Sequence, residues 1–252
     1  MTLFDDARRA VLDVCLPPHC VRCGAAVAAA RAMVCSPCWA SVQRIEAPFC
    51  ARCGHPGATA ECRWCALLPP WIATCRSWCW VPDGAGGDLV HALKYDGWAR
   101  LGESLGARVA TRRPLHPPGT RLLVVPVPVA ATRRRERGYN QAALIARAVA
   151  SHWGADWDPE LVQRTRSSES QVRLTPAERS ANVQGAFSAG PGAMHAKDRD
   201  VVVVDDVVTT AATLVACADI VRAAGARRIH LATFGRARAA WDRSTPSWSL
   251  FA

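Results

Sequence analysis

Four consecutive valines, Val201-Val202-Val203-Val204, predict a strand buried on both faces, the pattern of a parallel sheet. Behind it, Leu214, Cys217, Ala218 and Val221 recur at i, i+3, i+4 and i+7, an amphipathic helix stopped at Gly225. Leu122-Leu123-Val124-Val125 repeats the buried-strand pattern, and Leu144, Ile145, Ala148 and Val149 the helical one. Upstream, residues 77–81 read as a strand and Asp83-Gly84-Ala85-Gly86-Gly87 as a turn,. Asp88 then caps a helix carrying Leu89, Val90, Leu93 and Lys94, and Leu101, Leu105 and Val109 mark another. That helix is ended by Pro114 and the Pro117-Pro118-Gly119 loop. Further on, Thr175, Pro176 and Glu178 form a capping box. Residues 185–188 read as extended, 189–198 as a flexible turn and 229–234 as a last strand.

Chemistry concentrates where strands meet helices. Asp205 and Asp206 follow the valine run, and Thr209, Thr210 and Thr213 stand at the start of the next helix. Backbone N–H groups at a helix N-terminus and threonine hydroxyls make a cradle for phosphate. Two carboxylates just ahead of it are acceptors suited to a vicinal diol such as that of ribose. An acidic strand end leading to an ordinary N-cap fits the same residues. Neither Gly-x-Gly-x-x-Gly nor Gly-Lys-Ser/Thr occurs, which argues against dinucleotide and P-loop sites. After the second buried strand comes Pro126-Val127-Pro128-Val129, then a loop with Arg133, Arg134, Arg135 and Arg137. Such crowding is costly unless an anion neutralises it, although charge runs also occur as solvated loops. Both loops belong to carboxyl ends of strands, where ligands of open parallel sheets collect.

The first third has a different character. Eleven of the twelve cysteines fall between Cys15 and Cys79. Four Cys-x-x-Cys pairs lie among them, and two such turns complete a closed four-thiolate zinc site. The repeat Cys-Val-Arg-Cys-Gly against Cys-Ala-Arg-Cys-Gly predicts tandem zinc ribbons. The first takes Cys20, Cys23, Cys35 and Cys38; the second takes Cys50, Cys53, Cys62 and Cys65. Disulfides would require an oxidising compartment. Residues 1–14 are charged rather than apolar, so no signal peptide is expected, nor any membrane insertion, and the expected location is cytoplasmic. Cys15, Cys75, Cys79 and Cys217 read as small buried hydrophobes. Zinc should be part of the ribbons' own folding, because each is too small to bury a core. Arg22, Arg31, Arg44, Arg52 and Arg63 interleave with Trp39 and Trp64, an arrangement for stacking on single strands or simply surface charge around packed rings. The net charge of +10, nearly all arginine, favours polyanionic partners.

Taken in order, these pieces resemble the ComF family of competence-associated proteins. The resemblance runs from Cys20 to about Arg236. It rests on the double ribbon, His91-Ala-Leu-Lys94-Tyr95, Val125-Pro-Val-Pro128, Arg133 to Gln141, Gln171 with Glu178-Arg179 and Asn182, Ala186-Phe187, and Val204-Asp-Asp-Val-Val-Thr-Thr. It implies an α/β fold: a type I phosphoribosyltransferase-like domain at 76–238, on a five-stranded parallel sheet, behind a double zinc ribbon at 15–70. It implies two structural zinc ions, and PRPP (5-phosphoribosyl pyrophosphate) arriving with Mg²⁺. Asp205 and Asp206 would be catalytic, holding the ribose hydroxyls. The loop of Val207, Val208, Thr209, Thr210, Ala211, Ala212 and Thr213 would hold the 5′-phosphate. Pyrophosphate would lie against Pro126, Val127 and Pro128, with Arg133, Arg137 and Lys94 around it. Ala211 replaces the family's glycine and Ser168 its threonine. Because Ala211-Ala212 continues smoothly into the helical pattern, Ala211 is expected at negative φ. Three functions follow: a phosphoribosyltransferase of unknown acceptor working in DNA uptake, a non-catalytic PRPP-dependent single-stranded-DNA-binding protein, or a ribbon adaptor. Single-stranded DNA and DNA-uptake or recombination proteins are the implied partners.

Overall fold

A computed structural model describes residues 18–27, 32–56, 62–113, 120–165 and 185–238. Cys15, residues 114–119, Ser168, Gln171 and the capping box at 175–178 lie outside them. Two single-turn helices, α1 (Ser36–Ala40) and α2 (Arg63–Ala66), belong to the cysteine-rich segment. There follow β1 (Ile72–Val81), α3 (Gly84–Tyr95), α4 (Leu101–Ala110), β2 (Leu122–Pro126), α5 (Ala131–Arg137), α6 (Gln141–Trp153) and β3 (Asp156–Trp157). β4 (Val162–Arg164) pairs antiparallel with β5 (Phe187–Ala189). A 3-10 helix (Pro191–Ala196), β6 (Asp200–Val208), α7 (Ala212–Ala223) and β7 (Arg228–Ala237) complete the order.

Five strands make one parallel sheet, ordered β1-β7-β6-β2-β3. The valine run explains its centre, since successive side chains point to opposite faces. Val202 and Val204 pack with Leu89, Leu105 and Ile145, while Val201 and Val203 pack with Leu214, Cys217 and Phe187. From β2 the chain moves to β3 on one side; from β6 it moves to β7 on the other. The switch point therefore falls between the carboxyl ends of β2 and β6, where ligands bind in open α/β sheets.

The two ribbons straddle the edge strand β1. Cys20, Val34, Cys38 and Val42 join one core, and Cys53, Trp64 and Leu68 the other. The segment joining the ribbons covers the strand's free edge: Ile45 N donates to Trp78 O, Trp80 N to Gln43 O and Cys75 N to Arg52 O. Covering an edge in this way removes a template for pairing with another chain. The second knuckle sits so close that a β-carbon on Gly54 would lie 2.6 Å from the Cys75 carbonyl.

Several local readings are corrected. The glycine-rich stretch is not a turn but the first turn of α3, capped at Asp83, while Asp88 lies inside the helix and pairs with Arg22 at 2.9 Å. Close approach explains Gly86 and Gly87: a β-carbon at Gly87 would overlap the Pro82 carbonyl, and one at Gly86 would lie 2.9 Å from the Trp80 carbonyl. The arginine run is the helix α5 rather than a loop, ended by Gly138 at φ +79°. Residues 191–196 form a 3-10 helix instead of a flexible turn. Asp205 and Asp206 lie within β6, which runs on to Val208.

Candidate ligand site at the sheet switch point

Asp205 and Asp206 stand near the carboxyl end of β6, where Asp206 N donates to Asp205 Oδ1 at 2.8 Å. Lys94, in the last turn of α3, reaches across to Asp206, Nζ to Oδ1 2.9 Å. The run Arg137-Gly138-Tyr139-Asn140 holds this corner together. Tyr139 donates its hydroxyl to Leu93 O, and Asn140 Nδ2 donates to Val127 O. The Asn140 side-chain oxygen accepts from Ala142 N and so caps α6. Arg137 lies 5.0 Å over the ring of Tyr95, which is 62% exposed.

These groups enclose a cavity of about 190 Å³. Of the residues singled out in the sequence, Lys94, Val127, Pro128, Arg133, Arg137, Asp205, Asp206 and Thr213 line it. Arg133 and Arg137, one helical turn apart on α5, share its face. Arg134 and Arg135 are exposed and do not contribute to the lining. Pro126 ends β2, Val207 and Val208 end β6, residues 209–211 form the turn into α7 and Ala212 opens that helix; none of these lines the cavity. Other lining residues had drawn no role from the sequence, Tyr95, Gln141 and Arg164 among them. Gln141 opens α6 at only 2% exposure, and its Nε2 has no hydrogen-bond partner. A buried amide donor without a partner is costly, and Gln141 is among the residues lining the cavity.

Charge in the site is unevenly shared. Burial, reinforced by the neighbouring Asp206 charge, pushes Asp205 up to about 7, against the opposing pull of Lys94 and Arg164. Burial lowers Arg164, and repulsion from Arg133 adds to it. Four cations therefore face two carboxylates, one of them reluctant to ionise. Such a pocket is made for an anion.

Ala211 contradicts the expectation of negative φ. It is the N-cap of α7 at φ +64° and ψ −1°. N-cap residues are non-helical, and here the chain must swing from β6 into α7 within three residues. A left-handed alanine costs about 1–2 kcal/mol, yet its methyl is buried and recovers about 0.8 kcal/mol. Ala211→Gly should therefore raise the melting temperature slightly, by about 1–3 °C for a chain of this size. A lower melting temperature would show that the methyl's packing outweighs the strain.

Both cysteine quartets assemble as the spacing predicts. Cys20, Cys23, Cys35 and Cys38, and likewise Cys50, Cys53, Cys62 and Cys65, hold their sulfurs within 4.8 Å of one another. Observed separations of 3.7 Å (Cys23–Cys35) and 3.4 Å (Cys50–Cys65, Cys53–Cys62) approach the roughly 3.8 Å edge of a zinc–sulfur tetrahedron. Although burial opposes it, backbone N–H groups of Cys35, Cys23 and Arg22 bring the Cys20 thiol down to about 6. Cys75, Cys79 and Cys217 are buried outside the quartets.

Comparison with known proteins agrees with both halves. Residues 11–78 match the double zinc ribbon domain, and residues 138–251 the phosphoribosyl transferase domain. The chain therefore joins a double zinc ribbon domain to a phosphoribosyl transferase domain. Among curated relatives, "DNA utilization protein YhgH" of Escherichia coli K12 is 30% identical over 57% of this chain and 63% of its own length. The Salmonella typhi protein of that name is 28% identical over 86% of this chain and 96% of its own. "Competence protein F" of Haemophilus influenzae is 32% identical over 46% and 50%. The chain thus spans less than two thirds of the first of these relatives. Among its described residues, no helix is long and apolar enough to cross a membrane.

Proposed function

We propose that this chain is of the ComF type, binds PRPP and acts as a phosphoribosyltransferase in the use of taken-up DNA. One arrangement carries the reading: at the switch point, Asp205 and Asp206 sit beside Lys94, Arg133, Arg137 and Arg164, with the threonine turn into α7 next to them. The carboxylates accept from the ribose diol, the turn takes the 5′-phosphate, and the cations with the Gln141 amide take the pyrophosphate. Stabilising a leaving pyrophosphate is an electrostatic task, for which prearranged cations suffice. Mg²⁺ would be held mostly by the ligand's phosphate oxygens, with a carboxylate of Asp205 or Asp206 beside it, and would further neutralise the leaving group. Each cysteine quartet takes one structural zinc ion. The names of the relatives support a role with DNA.

Calorimetry of the zinc-loaded chain with PRPP and Mg²⁺ tests the reading, followed by pyrophosphate release against a panel of acceptors. One PRPP per chain is expected. No heat of binding at micromolar to millimolar ligand would refute it.

A second reading, PRPP-dependent binding of single-stranded DNA without catalysis, is favoured by the exposed Arg134 and Arg135 and by the exposed Tyr95 at the cavity mouth. Neutralising Arg133, Arg134, Arg135 and Arg137 together should then flatten the dependence of log affinity on log salt, by about 0.7 for each phosphate that these arginines neutralise. An unaltered slope would move any DNA site away from α5.

A further inference from the structure

The second ribbon is wrapped by three arginines that have no acidic partner among the described residues. Arg52 donates to the carbonyls of Cys65, Leu68 and Pro69. Arg76 donates to those of Ala51, Arg52 and Cys75. Arg236 is the most isolated: at 1% exposure, its Nη2 donates to Cys53 O at 2.5 Å and approaches Cys75 Sγ at 3.5 Å. Its guanidinium lies 4.9 Å over the Trp64 ring, and its Nε has no partner. Buried guanidinium groups held only by carbonyls are poorly compensated. Four thiolates around Zn²⁺ form a dianion, and the quartet at the centre of this nest supplies the missing negative charge when metal fills it.

Arg236 also has a second neighbour. In the β6–β7 ladder it stands opposite Val208, the last residue before the Thr209-Thr210 turn. Cys53 is thus joined through one side chain and one ladder pair to the start of the proposed phosphate cradle. We propose that Arg236 is a positioning residue through which metal occupancy of the second ribbon and anion binding at the cradle are coupled. With zinc bound, the dianion holds the guanidinium, and β7 keeps Val208 in register. Without it, Arg236 loses its counter-charge, the Cys53 carbonyl shifts, and the carboxyl end of β7 loosens beside the turn. Coupling of this kind is reciprocal, so PRPP must tighten zinc by the factor by which zinc tightens PRPP.

The inference rests on the PRPP reading, and the test separates the two. In the full chain, zinc affinity is measured by equilibrium competition with a zinc-selective chromogenic chelator, with and without saturating PRPP and Mg²⁺. PRPP should tighten one of the two zinc ions about five-fold or more. Withdrawing that ion should weaken PRPP, measured by calorimetry, by the same factor. Arg236→Gln should keep both ions and PRPP but bring both factors close to one; if that variant does not fold, the two wild-type measurements decide. Zinc affinity unchanged by bound PRPP overturns the inference and leaves the reading intact, as does coupling that persists in Arg236→Gln. Absence of PRPP binding by the zinc-loaded chain overturns both.

Discussion

Cys53→Ser is expected to lower the melting temperature on the order of 10 °C or more and to leave one zinc ion where the wild-type chain holds two. Apparent zinc binding by small structural sites is worth about 10–16 kcal/mol, and a three-thiolate site keeps only part of it. At two to four degrees per kcal/mol for a chain of this size, losing several kcal/mol gives a shift of about that magnitude. The damage should pass beyond the ribbon itself. Cys53 is buried in the same core as Ile72, Leu123 and Val203, and its carbonyl holds Arg236. The Cys75 N to Arg52 O bond fastens the same knuckle to β1. Cys79→Ala is the control, being a buried thiol outside the quartets whose Sγ touches Phe234 O at 3.4 Å. It should cost only about 1 kcal/mol, a trimmed side chain with both metal sites intact. Metal analysis with thermal melts on both variants decides. Two zinc ions and a near-native melting temperature in Cys53→Ser would remove that cysteine from the ligand set.

The contrast shows which features were legible in the sequence. Cys-x-x-Cys spacing is a local rule, so both quartets were readable to the residue. The valine run was equally plain, because burial on both faces leaves no polar position in a strand. What escaped was set by contacts between distant segments. The glycines at 84, 86 and 87 carry turn composition, yet they open a helix: Gly84 takes φ +68°, while at Gly86 and Gly87 β1 and Pro82 come too near for a side chain. Arg133 and Arg137 are separated from Arg134 and Arg135 only once α5 is helical. Arg164 gains meaning from its interaction with Asp205 at the switch point and carries no local signal beyond its type, whereas Gln141 closes a recognisable motif but its burial beside the cavity is a property of the fold. Ala211 misled for a similar reason: two alanines ahead of Leu214 look like helix, but the path from β6 requires a left-handed residue there. That the ribbons brace the sheet edge is likewise a property of packing, carried by Ile45, Trp80 and Cys75 main-chain bonds with no motif of their own.

The adjacent acids should respond to substitution in opposite ways. Asp205 prefers its proton in the folded chain, at about 7 against an ordinary 3.8, because of burial and the charge of Asp206. Between roughly pH 4 and 7 the folded chain therefore binds more protons than the unfolded one. Its stability falls as pH rises through that window and levels off above it. Asp205→Asn removes the charge and should raise the melting temperature of the ligand-free chain at pH 8, with the gain shrinking to nothing near pH 4. Asp206→Asn should do the reverse at pH 8. Asp206 is 8% exposed and paired with Lys94, so its loss strands a partly buried ammonium at a cost of about 1–3 kcal/mol. Both variants should weaken PRPP, since each loses a charged acceptor worth about 1.5–3 kcal/mol, or about ten- to a hundred-fold in affinity. A carboxylate that costs stability and is kept nonetheless points to a ligand that needs it. Melts of both variants from pH 4 to 8, with PRPP calorimetry at pH 8, separate the alternatives. If Asp205→Asn is less stable than wild type at pH 8, the carboxylate is a structural acceptor. If it is more stable but binds PRPP unchanged, Asp205 has no part in holding the ribose.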